Sequence, residues 1–552
     1  MRSSLFFTLT CCLCLSCSGS KSDDDGGSGG TSGKEDGGGS GEGGTGSGKG
    51  GSSGSSGKGG SGAAESGGSG GGPAGASVLE RNNHPSRNGM FVQPSLSKAM
   101  VSKMALDTGF AATFKGNMWA SPLYFENGPG GKGVFFSVTT GNDVFALDET
   151  SGSTVWTKHL GDSPTANGVG CGNIHPLGIL STPVIDAASK TIFVAGAIGT
   201  NSIARHEVHA LSIDDGSSRS GWPVDVSKLK AGDVSFTPPP QNQRSALSLV
   251  NGTVYVAYGG HAGDCGQYRG WIFGIDAKDP TKTGAWASLG IGEGIWAAGG
   301  MASDGNGVFA ITGNSTVGAS KRDASDGEQV VRVTGMGTFD RNNKNLFFPT
   351  SWRSMDSADA DFGASNPMYI SVPGATPSNY VVAISKDGHF YLLDAANLGG
   401  SDGSKPVVDF SIATGAMAIR TVPAAYPGSS GVNVVFSTDS GAKCPANMPS
   451  DKVIMAVQVP AGSPPAPKVL WCAALSGENT SPIVTTTDGK SEPIVWFMKN
   501  GKLTALDGDT GAVLWNGGND SCAGVRKWTS PIAVKGRIVT GADGKLCSWS
   551  VH

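Results

Sequence analysis

Charge is scarce in this chain: Asp, Glu, Lys and Arg make up 16% of its 552 residues, and the formal net charge is -4. Recognition of a phosphate backbone needs a clustered basic face, so this balance excludes nucleic acid as the expected partner. Long apolar runs are also lacking. The most apolar stretch, Leu5 to Leu15, is too short to span a bilayer as a helix. Among the six cysteines beyond residue 17 no C-x-x-C spacing occurs, which leaves a zinc site without its usual signature. What abounds is glycine, with 88 residues.

Much of that glycine lies in an N-terminal segment that cannot fold. Arg2, the apolar run, Ser16 and Cys17 follow the order of a secretory signal peptide, predicted over residues 1–16. The stretch "CLSCSGS" resembles the lipobox of bacterial lipoproteins, which implies lipidation of Cys17; Cys12 and Cys14 are alternative acceptors, and an ordinary cleaved signal is the plainer reading. Residues 17–76 are almost wholly Gly and Ser, too poor in apolar surface to offset ordering entropy, and are expected to be a disordered tether. Such a coil spreads its ends roughly 40 Å apart. Ser18 follows Cys17 where an Asp would resemble an inner-membrane retention signal, so the expected location is the outer membrane of a bacterial envelope. "GGSGG" at Gly26 to Gly30 matches the nucleophile pattern G-x-S-x-G by composition alone.

Residues 77–552 repeat themselves. "ASPLYF" at Ala120, "STPVID" at Ser181, "TSPIVT" at Thr480 and "TSPIAV" at Thr529 each open a run of alternating apolar segments separated by Gly-containing turns. In the unit that starts at Thr480, "PIVWFM" and "KLTALD" flank "KNG", and Asn-Gly between alternating strands marks a tight hairpin. Four short strands make one unit, and weaker copies between the clear ones bring the count to eight. The last unit stops at His552 without an outermost strand, which "SKMALDTGFAATF" can supply from upstream of the first. The predicted fold is therefore all-β, an eight-bladed propeller closed by an N-terminal strand. Closure removes the exposed sheet edge of a linear array.

One phrase occurs twice, as "ALDETSGSTVW" at Ala146 and "ALDGDTGAVLW" at Ala505. Ala suits close approach of blades, Asp and Thr cap a turn, Gly permits its backbone, and Trp can plug the gap to the next blade and donate its indole N–H. The phrase resembles the tryptophan-docking motif of the PQQ repeat, the unit of the eight-bladed quinoprotein alcohol dehydrogenases. "NNHPSRNG", "GILSTPVID", "GGHAGDCGQYRGWIFGIDA" and "GIWAAGGMASDGNGVFAITGN" are similar to a group of secreted PQQ-repeat proteins. Propellers of this kind include both dehydrogenases and an outer-membrane assembly-factor lipoprotein that binds partners.

Strand alternation puts the loop before each blade's first strand, and the loop between its second and third, on one face. Asp264, Asn314, Asp359 and Asp361 fall in such loops and are expected around one channel mouth. The dehydrogenase resemblance implies PQQ and calcium as cofactors. It places Asp264, before "RGW", and Asn314, in "TGN", as metal ligands, and either Asp359 or Asp361 as general base. Trp271, Trp296 and Arg244 are candidates for cofactor contact; the tryptophans also suit core or channel wall, and the acidic and amide residues also suit turns. Arg244, Lys386 and Arg420, near inner strands, suit an anion-binding lining, and His261 either joins Asp264 or makes a structural bond. The sequence lacks the adjacent cysteine pair of the dehydrogenases' cofactor ceiling and the C-x-x-C-H of their fused haem domain.

Six cysteines in an exported chain suggest disulfides. The blade map pairs Cys171 with Cys265 and Cys444 with Cys472, on same-face loops of neighbouring blades, and Cys522 with Cys547 in the closing blade. The functional expectation is a monomeric cell-envelope lipoprotein whose propeller is a binding or scaffolding module for envelope proteins or polysaccharide. The alternative is a PQQ- and calcium-dependent quinoprotein dehydrogenase acting on an alcohol or sugar.

Overall fold

The computed structural model describes residues 77–315, 322–400, 406–415 and 421–551. The signal segment, Cys17, the tether and Arg420 lie outside these residues. Eight antiparallel sheets succeed one another along the chain, and in each the first strand lies innermost. Blades 1 to 7 span 123–159, 184–225, 248–287, 302–347, 368–411, 424–474 and 483–515. Blade 8 consists of Ile532–Val534, Arg537–Ala542 and Lys545–Val551, with Met104–Leu106 antiparallel to the last of these as its outermost strand. The ring thus closes through the segment expected to close it. No helix among the described residues is long and apolar enough to cross a membrane.

Blades pack face against face, so their middle strands are covered on both sides. Thr191–Ile198 is buried at every position and reads as an almost continuous apolar run, whereas the outer strand Thr154–His159 keeps mainly Trp156 inside. Each such buried large apolar side chain contributes about 1.5–3 kcal/mol. The repeated phrase works between blades. Trp156 lies against Gly216 of the next blade and donates its indole N–H to Ile213 O at 2.8 Å; Trp471 does the same to Gly511 and Gly508 O, also at 2.8 Å. A Cβ on Gly511 would lie 2.6 Å from the Trp471 ring, and its φ of +74° is one that side chains disfavour. Asp507 caps the same turn by accepting the Asp509 and Thr510 N–H groups at 2.8 and 3.1 Å. At the hairpin, Asn500 and Gly501 take φ of 51° and 74°, as a tight Asn-Gly turn requires.

All three expected disulfides are present: Cys171–Cys265, Cys444–Cys472 and Cys522–Cys547.

The sequence reading did not foresee what fills the channel. Residues 77–93 form a finger inserted along the propeller axis. Ser77 Oγ accepts the Glu126 N–H just beyond the innermost strand of blade 1, and Val78 bridges Tyr124. The chain turns through Asn82, Asn83 and Arg87, all at positive φ, and returns as Met90–Val92, parallel to Ile483–Thr486 of blade 7. Asn tolerates the left-handed region better than most residues, which suits "NNHPSRNG" to this bend.

The finger meets the innermost strand of every blade. Besides the contacts with blades 1 and 7, Ile185, Ser303, Tyr369 and Ala425 donate backbone N–H groups to the carbonyls of Leu79, Pro85, Ser86 and Asn88. Gln93 donates to Ala533 O in blade 8. Arg87 reaches blade 3 and fixes the bend: it donates to Leu247 O, Ser248 Oγ, Met301 O, Arg81 O and Glu80 Oε2 at 2.7–2.8 Å. Both ends of the finger sit at the face opposite the loops that carry the candidate site, because Gln93 also accepts the Gly536 N–H in the turn leaving blade 8's first strand.

Candidate functional site

The loops at the other face gather five charged and aromatic groups above the finger. Asp361 precedes the innermost strand of blade 5, after the short helix Trp352–Ala358. Lys386 lies in the turn between that blade's second and third strands, and Asn314 in the equivalent loop of blade 4. Arg244, Trp296 and Trp528 lie in the loops leading into blades 3, 4 and 8.

Asp361 is 4% exposed and both its oxygens are engaged: Oδ1 accepts the Asn314 N–H at 2.9 Å, and Oδ2 accepts Lys386 Nζ at 2.5 Å. Lys386 also donates to Asp359 O at 3.0 Å and lies 3.4 Å from Asp359 Oδ1. Asp359 is the helix C-cap, held at φ 52°. Burial raises the Asp361 carboxyl above the ordinary carboxylate range, while the Lys386 charge opposes that shift. Beneath it Glu328, fully buried, accepts the Phe362 N–H through Oε2, and its Oε1 has no partner among the described residues. Burial, then the charge of Asp361, pushes the Glu328 carboxyl well above its usual value.

Arg244 is the unusual cation. Its Nε donates to Trp296 O at 3.2 Å, and its guanidinium carbon lies 5.2 Å from the Trp296 ring centroid and 5.6 Å from that of Trp528. No carboxylate pairs with it among the described residues, and burial alone lowers its pKa to about 10. Lys386 Nζ stands 5.5 Å from the same Trp296 ring. The finger supports this group from below, since Arg81 donates to Trp528 O at 2.8 Å. Arg244 is therefore a cation set against two indoles without a paired carboxylate among the described residues.

The expected residues are distributed as follows. Asp361, Asn314, Asp359 and Lys386 meet directly, with Trp296 and Arg244 alongside. Asp264 is on the same face but accepts the Tyr268 hydroxyl at 2.6 Å; the charges of Asp264, Asp361 and Asp359 all act on that phenol and, with burial, raise its pKa. His261 is buried and bonds Pro239 O at 3.1 Å rather than Asp264. Trp271 has to be corrected: it is 1% exposed and stacks on Phe273 in the core between blades 2 and 3, so it offers no face to the mouth. Trp528 and Glu328 were missed because neither lies in a motif; their roles come only from folding.

Calcium takes six to eight oxygen ligands. Here Asp361 has given its oxygens to an amide and an ammonium, and Asp264 has given one to Tyr268. Among the described residues no group of three or more His, Cys, Asp or Glu side chains could hold a metal. As arranged, Asp264 and Asn314 do not fit a calcium ion, and the Lys386 ammonium stands beside Asp361 where a cation would have to sit. Arg244 could offer its charge to an anion, while the indoles of Trp296 and Trp528 stand edge to face, with centroids 6.3 Å apart and planes at 89°.

Asp356 gives a pH-dependent readout of this region. It accepts the Ser315 N–H at 3.0 Å, and burial raises its pKa from 3.8 to about 6. The folded state therefore binds the extra proton between those values, and stability falls as pH rises through them. Asp356→Asn has no such term. The melting temperature of the variant minus that of the wild type should climb from pH 4 to pH 6 and then level off; a flat difference would contradict the assignment.

Comparison with known proteins places this geometry. Residues 456–551 match the family model described as outer membrane protein assembly factor BamB. No curated protein matches the chain. Among solved structures, the quinohemoprotein alcohol dehydrogenase ADHIIG of Pseudomonas putida HK5 is similar at 14% identity and a TM-score of 0.63, covering 86% of this chain and 80% of that one. The quinohemoprotein alcohol dehydrogenase of Comamonas testosteroni is similar at 16% identity and TM-score 0.56, with the same coverage of 86% and 80%. A europium-containing methanol dehydrogenase is similar at 16% identity and TM-score 0.58, covering 85% of this chain and 90% of that one. At these identities the likeness shows the fold, an eight-bladed β-propeller of the PQQ-repeat kind.

Proposed function

We propose that the protein is a ligand-binding propeller of the bacterial cell envelope, whose mouth takes a planar, anionic molecule of the pyrroloquinoline quinone class. The observation that carries this reading is Arg244, a half-buried cation held beside Trp296 and Trp528 with no carboxylate partner among the described residues. Such a charge is costly until an anion meets it, and two indoles favour a flat one. Anchoring through Cys17 and an outer-membrane location complete the proposal, with envelope proteins or polysaccharide as further partners of a monomer. The match of residues 456–551 to a model named for an outer-membrane assembly factor supports the envelope setting.

Pyrroloquinoline quinone added to the purified propeller should quench tryptophan fluorescence saturably. Arg244→Gln should weaken that binding at least about tenfold, the worth of one charge-assisted hydrogen bond. Neutral menadione should not compete. Absence of quenching at stoichiometric concentrations would remove the reading.

A second reading, oxidation of an alcohol or sugar at the same mouth, draws on Asp361. Its carboxyl is raised by burial above the ordinary carboxylate value against the opposing charge of Lys386, which fixes its orientation. The quinone would supply the hydride or electron acceptor, while Asp361 would take the hydroxyl proton. Substrate-dependent dye reduction by the quinone-loaded protein, abolished by Asp361→Asn, would establish it.

A further inference from the structure

On the face opposite the mouth, between blades 4 and 5, lies a cavity of about 580 Å³. That is within the roughly 300–1,000 Å³ of small-ligand sites. Its wall comes from three bottom turns, around Asp304, Pro377 and Asp394, and from Tyr369 and Arg332 on strands behind them. The lining mixes polar side chains with apolar surface from Tyr369, Pro377, Ala395 and Ala396.

Asp304 and Arg332 pair with each other across this cavity, although Arg332 Nε has no partner among the described residues. Arg332 Nη2 donates to Asp304 Oδ2 at 2.5 Å, and Asp304 Oδ1 accepts the Asn306 N–H at 2.9 Å. Asp394 Oδ1 accepts the Ala396 N–H at 2.9 Å. With two carboxylates facing one guanidinium, the cavity disfavours an anion. The neutral groups are different: the hydroxyl of half-buried Tyr369 and the side-chain amide of half-buried Asn379 make no protein hydrogen bond among the described residues, and exposed Asn306 and Ser378 flank them at the rim. Amides that donate and accept side by side, next to an aromatic ring and a proline, match the alternating hydroxyls and C–H faces of a sugar.

We infer that this cavity is a second binding site, for a residue of a neutral saccharide, distinct from the mouth. Tyr369 and Pro377 offer the apolar surface, and Asn379, Asn306 and the Tyr369 hydroxyl bond the sugar hydroxyls. The Asp304–Arg332 pair holds the wall rigid. Tyr369 also ties the cavity to the finger, since its backbone N–H donates to Ser86 O at 2.9 Å.

Isothermal titration of the whole propeller with maltohexaose, cellohexaose, xylohexaose and chitohexaose tests the site. At least one probe should bind saturably, one to one, at millimolar or lower concentration. Asn379→Ala and Tyr369→Phe, neither of which removes a side-chain bond inside the described protein, should each weaken it by roughly tenfold. Arg244→Gln should leave it unchanged, which separates this site from the mouth. The inference is overturned if no neutral probe saturates, if both variants bind as the wild type does, or if oligogalacturonate binds more tightly than every neutral probe.

Discussion

Replacing Arg87 by Ala should destabilise the propeller by about 3–5 kcal/mol, the usual cost of breaking a buried ion pair and stranding its partner. Arg87 is 0% exposed, Glu80 is 6% exposed, and the two are joined at 2.8 Å. Without the guanidinium, Glu80 keeps a buried charge, Leu247 O, Ser248 Oγ and Arg81 O lose the Arg87 donor, and Met301 O keeps only Ser248 Oγ. Burial already outweighs the Arg87 charge and raises the Glu80 carboxyl, so in the variant Glu80 must take a proton or draw in water. Arg87→Lys should recover only part of the loss, because an ammonium has three donors where five bonds are made. Urea unfolding measures the first effect, and limited proteolysis between residues 77 and 93 measures whether the finger leaves the channel. A midpoint within experimental error of the wild type would show that the finger contributes little to closing the ring.

The second large effect is expected at the mouth. Lys386→Met should cost about 3–5 kcal/mol at pH 8, again because a buried carboxylate loses its counter-charge. The pH dependence identifies which group is responsible. Asp361 already has a folded-state pKa above its unfolded value, and removing Lys386 raises it further. For an acid shifted upward the folded state holds the extra proton, so the penalty is full above the folded pKa and fades as pH falls toward the unfolded value. The gap between variant and wild type should thus be widest at pH 8 and close toward pH 4. Adding Asp361→Asn to Lys386→Met should remove most of the gap at pH 8, since no buried carboxylate remains at that position. A pH-independent loss would mean that Lys386 acts through packing against Trp296 instead of charge.

The two predictions concern parts of the molecule that differ in how far they could be read beforehand. Blade number, the closing strand at Met104–Leu106 and the three cysteine pairs follow from local pattern. A repeated strand–turn–strand unit states its own boundaries, and strand alternation decides which loops share a face. The same rule puts Asn314, Asp359 and Asp361 on one rim. It cannot say what each oxygen bonds, because that depends on ångström-scale approach between residues distant in sequence. Hence Asp361, a candidate base, faces an ammonium, and Asp264, a candidate metal ligand, faces Tyr268.

Trp271 and Trp296 make the contrast clear. Trp271 follows Gly270 and Trp296 follows Ile295, and composition allows either to be core or wall, yet one strand register turns Trp271 into the packed gap between blades, while the loop before blade 4 leaves Trp296 in the channel wall. A one-residue change in register reverses such an outcome, and composition does not carry it.

By itself the sequence determined a ring of upright sheets, its mode of closure and the face that gathers the acidic and amide loops, because period-two patterning and turn residues act over a few positions. Only the tertiary structure decided that the chain threads its own axis, with Arg87 bonding strands of blades 3 and 4 and its neighbours reaching the rest, and that Arg244 is left beside two indoles without a paired carboxylate among the described residues. These are contacts between segments far apart along the chain, fixed by which donors remain unmet once the blades have closed around the axis, and no local pattern encodes them.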